Sequence, residues 1–175
     1  MPDDVHVTIE VGGGVYNGPG ACNATLTHPN VAIVANGSET TVFDCGWASR
    51  WLAFTGTSLS LSGVTIVNAS SFNNGLEEGG VVSGGAVLVD WGGGGTNLSF
   101  TMRDVVVQGA RAEFNGSAGH VGGYVMGGAV GIIIGPDGPV EGVTVAVEDC
   151  AFQDVVCFAG AVETPTTTAN LAIAF

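Results

Sequence analysis

The chain has 175 residues, of which 46% are hydrophobic and only 11% charged, far below the roughly 25% charge of an ordinary globular domain. Abundant Val and Ile with little charge exclude a disordered chain, so polarity must come from Gly, Ser, Thr and Asn. Sixteen acids face three basic residues (Arg50, Arg103 and Arg111) with no lysine, a net charge of −13. That balance excludes the basic footprint nucleic acid requires and disfavours anionic membrane surfaces.

In chain order, Met1-Pro-Asp-Asp-Val5 has neither the basic start nor the apolar run of a secretory leader. Val7, Ile9 and Val11 then interleave with Thr8 and Glu10, the period-two pattern of a half-buried strand. Thr41-Val-Phe-Asp-Cys45 reads as another strand, and Leu59 and Leu61 alternate with Ser60 and Ser62. Gly84-Gly85-Ala86-Val87 recurs as Gly127-Gly128-Ala129-Val130, and weakly as Ala159-Gly160-Ala161-Val162. A valine-rich strand with an acid near its start follows each strong copy, at Asp104 and at Asp149; Leu59–Asn68 is the earlier equivalent without the acid. No stretch carries a helical stripe; Val105–Phe114 comes nearest but contains Gly109. The apolar run around Ile132–Ile134 is too short to span a bilayer. With the apolar end Leu171-Ala-Ile-Ala-Phe175, the expectation is one domain over 1–175, a fragment of a longer secreted protein incomplete at both ends.

An all-β class follows, and the repeat chooses the architecture. A sandwich has no reason to reuse one tetrapeptide, whereas stacked coils about 4.8 Å apart present the same positions to the same surroundings. Gly-Gly suits a sharp corner and Ala-Val a narrow interior stack. A right-handed single-stranded parallel β-helix is therefore expected, with Gly-rich loops of unequal length leaving it.

Val7-Thr-Ile-Glu-Val-Gly-Gly-Gly-Val-Tyr16, and Thr41–Cys45 followed by Trp51, resemble successive coils of the pectin-lyase-like superfamily. The Gly-Gly-Ala-Val copies resemble the Gly-Gly-Ala-aliphatic repeat of polymorphic outer-membrane-protein-like surface β-helices. The companion Phe-x-x-Asn is absent, since Gly75, Ser117 and Val155 follow three residues after Phe72, Phe114 and Phe152. The resemblance implies a pectin-lyase-like solenoid, outside the cell or on its surface.

Four cysteines allow three pairings. The sequence-local one, Cys22 with Cys45 and Cys150 with Cys157, is expected because neighbouring coils bring such positions together; buried free thiols are the alternative. Sequons stand at Asn23, Asn36, Asn68, Asn97 and Asn115 and, with the even cysteine count, lean toward a secretory route.

For chemistry, some pectin-lyase-like relatives cleave acidic polysaccharides. The hydrolytic aspartate trio has no counterpart: the only Asp-Asp is Asp3-Asp4, Gly119-His120-Val121 breaks Gly-His-Gly, and lysine is absent. For elimination, Asp104, Asp149 and Arg103 could share a face, with Arg103 as the basic residue and the stacked carboxylates holding calcium or serving acid–base work; otherwise the two acids are solvated groups at strand starts. His120 offers a general base or an exposed loop side chain. Trp47, Trp51, Trp91 and Tyr124 offer a sugar platform or packing under loops. His6, His28 and His120 lie too far apart to suggest zinc, and Thr166-Thr-Thr168 is no ice-binding ladder. No catalytic or metal residue is assigned and no cofactor is expected, calcium being the one candidate. The leading expectation is a non-catalytic extracellular or cell-surface β-helix for adhesion, scaffolding or glycan contact. Its partner is then a polysaccharide or cell-surface glycan. A polysaccharide lyase or hydrolase acting on acidic polysaccharide is the alternative.

Overall fold

Alternating apolar and small polar residues, punctuated by Gly and Asn, dictate short strands with one face to a core. The computed structural model describes residues 5–18, 20–73, 81–115, 124–134, 140–160 and 171–174. Among them there is no helix, and so none long and apolar enough to cross a membrane. The strands, in order, are β1 (His6–Val11), β2 (Gly14–Asn17), β3 (Ala24–Leu26), β4 (Asn30–Ala35), β5 (Thr41–Asp44), β6 (Leu52–Phe54), β7 (Ser58–Val67), β8 (Ser70–Asn73), β9 (Val81–Ser83) and β10 (Val87–Trp91). They continue with β11 (Gly95–Thr96), β12 (Ser99–Gln108), β13 (Arg111–Asn115), β14 (Tyr124–Met126), β15 (Val130–Ile134), β16 (Val140–Glu141), β17 (Thr144–Glu148), β18 (Ala151–Gln153), β19 (Val156–Gly160) and β20 (Leu171–Ala174).

The protein is all-β, and every strand pairing among the described residues is parallel. One sheet runs β1-β4-β7-β12-β17, with β2 and β5 continuing beside the second half of β7, and β18 beside that of β12. A second runs β3-β6-β10-β15-β20 and a third β8-β13-β19. Paired residues are 24 apart at His6 and Asn30 and 45 apart at Ser99 and Thr144, so the returning chain lengthens along the molecule.

Register stacks like on like. Val7, Val31, Leu59, Phe100 and Val145 form one inward row, and Ile9, Ile33, Leu61 and Met102 the next, whose register continues to an exposed Val147. Thr8, Ala32, Ser60, Thr101 and Ala146 lie between them on the opposite face. Across the core, Leu26, Phe54, Val89, Ile132 and Ile173 are paired in the second sheet. Leu59, Leu61, Phe54, Phe100 and Val89 are fully buried, and each contributes about 1.5–3 kcal/mol against exposure.

The Gly-Gly-Ala-Val repeat has the physical role its composition suggests. Gly84 and Gly127 both take φ of 61°, and Val87 pairs Val130 directly after them. A Cβ on Gly85 would lie 2.1 Å from the Gly128 carbonyl oxygen, so the two backbones touch where no side chain fits. Ala86, Val87, Ala129 and Val130 are completely buried. The weak third copy does not belong to this series. Ala159 and Gly160 pair Phe114 and Asn115, while Leu171 is the partner of Val130; Ala161 and Val162 lie outside the described residues.

Cys22 and Cys45 form a disulfide, which fits an oxidising compartment. Cys150 and Cys157 are free thiols. Cys150 sits just before β18 in the first sheet and Cys157 in β19 of the third, so neighbours in sequence serve different sheets.

Candidate functional site

An unusual stretch of backbone follows β5. Asp44 accepts the Gly46 N–H at 3.0 Å, closing a tight turn. Gly46 (φ 56°) and Trp47 (φ 62°) are then both left-handed, a conformation a bulky side chain rarely adopts. The neighbouring strand holds it there. The Trp47 N–H donates to the Asn68 carbonyl at 2.7 Å, and the Ser70 hydroxyl donates to the Trp47 carbonyl at 2.6 Å. Asn68 Nδ2 also donates to Asp44 Oδ1 at 3.0 Å, tying the turn from the side.

So held, the Trp47 ring lies against Gly109, where a Cβ would come within 3.1 Å of it. The Arg111 guanidinium stacks 4.2 Å from the ring centre, a cation–π contact. The ring nevertheless leaves Trp47 41% exposed. Residues in uncommon backbone regions that display a large side chain cluster at binding sites.

Cavities open on both sides of this turn. One of about 640 Å³ is lined by Trp47, Asn68, Gln108, Arg111 and Asp154 among others. A second of about 530 Å³ is lined by Trp47, Asn23, Arg50, Ser70, Ser71 and Phe72. A third of about 500 Å³ shares Asn23, Ala48 and Ser49 and reaches the Cys22–Cys45 bridge. The result is a shallow groove with an exposed indole and many amide and hydroxyl groups.

Of the aromatic candidates, Trp47 alone among the described indoles faces solvent. Trp51 and Trp91 are buried, Trp51 against Phe43 and Trp91 with its Nε1–H donated to the Gly56 carbonyl at 2.9 Å. They are core residues, not a platform. Tyr124 begins β14, and its side chain is outside the described set.

The acidic candidates stand at matching corners but are committed separately. Asp104 and Asp149 both have φ of 52° and follow the facing pair Arg103–Glu148. Asp104 accepts two hydrogen bonds from Ser38, at 2.6 Å from its hydroxyl and 3.2 Å from its N–H. Arg103 pairs with Glu148 at 2.6 Å, a partner sequence reading missed because only the register brings it near. That hydrogen bond, then the Glu148 charge, raises the Arg103 pKa. Among the described residues no three His, Cys, Asp or Glu side chains gather to hold a metal. His120, Asp3, Asp4 and Thr166–Thr168 lie outside those residues.

Three sequon asparagines, Asn23, Asn68 and Asn97, occupy left-handed corners with φ of 53–68°. Asn tolerates that conformation better than most residues, which is a structural reason for its presence there. Asn36 lies in the turn before β5, and Asn115 ends β13.

No protein-family model, curated protein or solved structure matches this chain.

Proposed function

We propose that the chain is a run of coils from a right-handed parallel β-helix displayed outside the cell or on its surface. In this reading it is non-catalytic and contacts a polysaccharide or cell-surface glycan through the groove around Trp47. Parallel pairing of each strand with one a single pass later supports the helix, and parallel connections are almost always right-handed. The Gly-Gly-Ala-Val corners support the resemblance to pectin-lyase-like surface helices, and the Cys22–Cys45 bridge supports an extracellular setting.

One observation carries the glycan reading. Trp47 is held in a left-handed conformation with an exposed face, beside cavities lined by Asn, Gln and Ser. A sugar presents C–H faces that stack on an indole and hydroxyls that pair with amides. Glycan-array screening followed by titration calorimetry tests this. Trp47→Ala should weaken binding at least tenfold, while a variant at buried Trp91 that still folds should bind normally. Undiminished binding by Trp47→Ala overturns the assignment of the groove. Release of oligosaccharides from pectate or alginate would replace the non-catalytic reading with a polysaccharide lyase or hydrolase.

A further inference from the structure

Three cations serve a chain with sixteen acids, and two of them have acidic partners. Arg103 binds Glu148 at 2.6 Å, and Arg111 lies 3.8 Å from Glu113 while stacked on Trp47. Arg50 differs. Its Nε donates to the Gly84 carbonyl at 2.8 Å, and its Nη2 donates to Ser71 Oγ at 2.7 Å and the Ser83 carbonyl at 2.6 Å. All three acceptors are neutral, and neither ion pair among the described residues includes Arg50.

A guanidinium has five N–H donors. Nε and Nη2 make all three of these bonds, which leaves the Nη1 edge. Arg50 lines the cavity it shares with Trp47, Ser71 and Phe72. Ser71 accepts from Arg50, so its own hydroxyl hydrogen is available as a second donor. Burial pulls the Arg50 pKa down, as expected of a shielded cation without a counter-charge.

We propose that this cavity is an oxyanion subsite, in which the Nη1 edge of Arg50 and the Ser71 hydroxyl receive one carboxylate or sulfate group carried by the bound glycan. Charge-assisted hydrogen bonds to a planar fork are the strongest contacts such a group can make. The net charge of −13 disfavours a strand of repeated anions. The fitting ligand is therefore a single acidic sugar in an otherwise neutral chain, its ring near Trp47. The subsite rests on the glycan reading above, but its anion chemistry can be measured without a sugar.

The test has two arms on the full chain. In the first, inorganic sulfate is titrated at constant ionic strength against chloride, and the Arg50 Nε–Hε resonance is followed by NMR. In the second, calorimetry compares a methyl glucuronide, a 6-sulfated methyl galactoside and an uncharged methyl glucoside. Sulfate should shift the Arg50 resonance, and at least one charged sugar should bind about fivefold or more tighter than the neutral one. Whichever of the two binds tighter names the group. Arg50→Gln should abolish the charge preference. Because Arg50 also anchors the Ser83–Gly84 turn, Ser71→Ala provides a second variant that keeps those bonds; it should reduce the preference about threefold. A sulfate response without any sugar binding keeps the subsite and removes the glycan reading. Sugar binding through Trp47 with no charge preference and a silent Arg50 removes the subsite alone. Silence in both arms removes both.

Discussion

Asp104 stands beside Gly63 on the neighbouring strand, between the facing pairs Ser62–Arg103 and Val64–Val105, and both residues are left-handed, at 52° and 71°. Two residue types thus solve one corner. Glycine does so by lacking a Cβ, and aspartate by its local tolerance of this region plus two hydrogen bonds from Ser38.

That comparison orders a mutant series. Asp104→Gly keeps the corner and loses the bonds, costing about 1 kcal/mol, while Asp104→Ala adds backbone strain for a total of about 2 kcal/mol. Asp104→Asn should be mildest. Urea unfolding midpoints check the order, and Ala milder than Gly would refute it.

Thr41 is completely buried, and its hydroxyl has no partner among the described residues. It precedes the Val42–Thr65 pair, so it falls in line with Val64 and Val105. A buried unpaired hydroxyl costs about 1–3 kcal/mol. Thr41→Val, of nearly the same shape, should therefore stabilise by about 1 kcal/mol, seen as a higher calorimetric midpoint. A lower midpoint would show that the hydroxyl is satisfied after all.

Gly85→Ala must push a methyl into the Gly128 and Arg111 carbonyls, at 2.1 and 2.6 Å. Neither backbone can retreat without disturbing β13 or the entry to β15, so a loss of about 3 kcal/mol or more is expected. Gly93→Ala meets nothing within 4 Å and should stay within about 0.5 kcal/mol of the parent. Equal behaviour of the two, by chemical denaturation, would contradict the close approach.

Burial raises the pKa of both free thiols, Cys150 and Cys157. A raised folded value means that the fold prefers the neutral thiol. Its contribution is complete below the unfolded thiol pKa and lost as pH climbs through the folded one. Stability should fall on the alkaline side, and a Cys150→Ala, Cys157→Ala pair should flatten that slope. At pH 8 a disulfide reagent should modify native Cys150 and Cys157 more slowly than the denatured chain. Native rates equal to denatured ones would rule out the shielding.

What was legible in the sequence was whatever repeats with a local cause. Alternation in Val7–Val11 and Leu59–Ser62 announced strands, and Gly84-Gly85 with Gly127-Gly128 announced a shared corner. The match of Asp104 with Asp149 was legible for the same reason. What depended on register was not. Glu148 becomes the partner of Arg103 only when β12 and β17 lie side by side. The indoles look alike in sequence, yet Trp51 and Trp91 turn inward while the left-handed turn at Trp47 turns outward. The Ala159–Val162 copy misled because the returning segments differ in length, so sequence spacing does not track position in the sheets.

The scarcity of basic residues also bears on durability among digestive enzymes. Trypsin cuts after Lys or Arg, and this chain offers only Arg50, Arg103 and Arg111. The first gives its carbonyl to the Asn23 N–H, and the other two lie within β12 and β13, paired on both sides. A protease must draw several residues of extended chain into its cleft, so each of these bonds becomes a substrate only after local unfolding. The cationic positions that supply the groove are thus also positions where the backbone is already engaged.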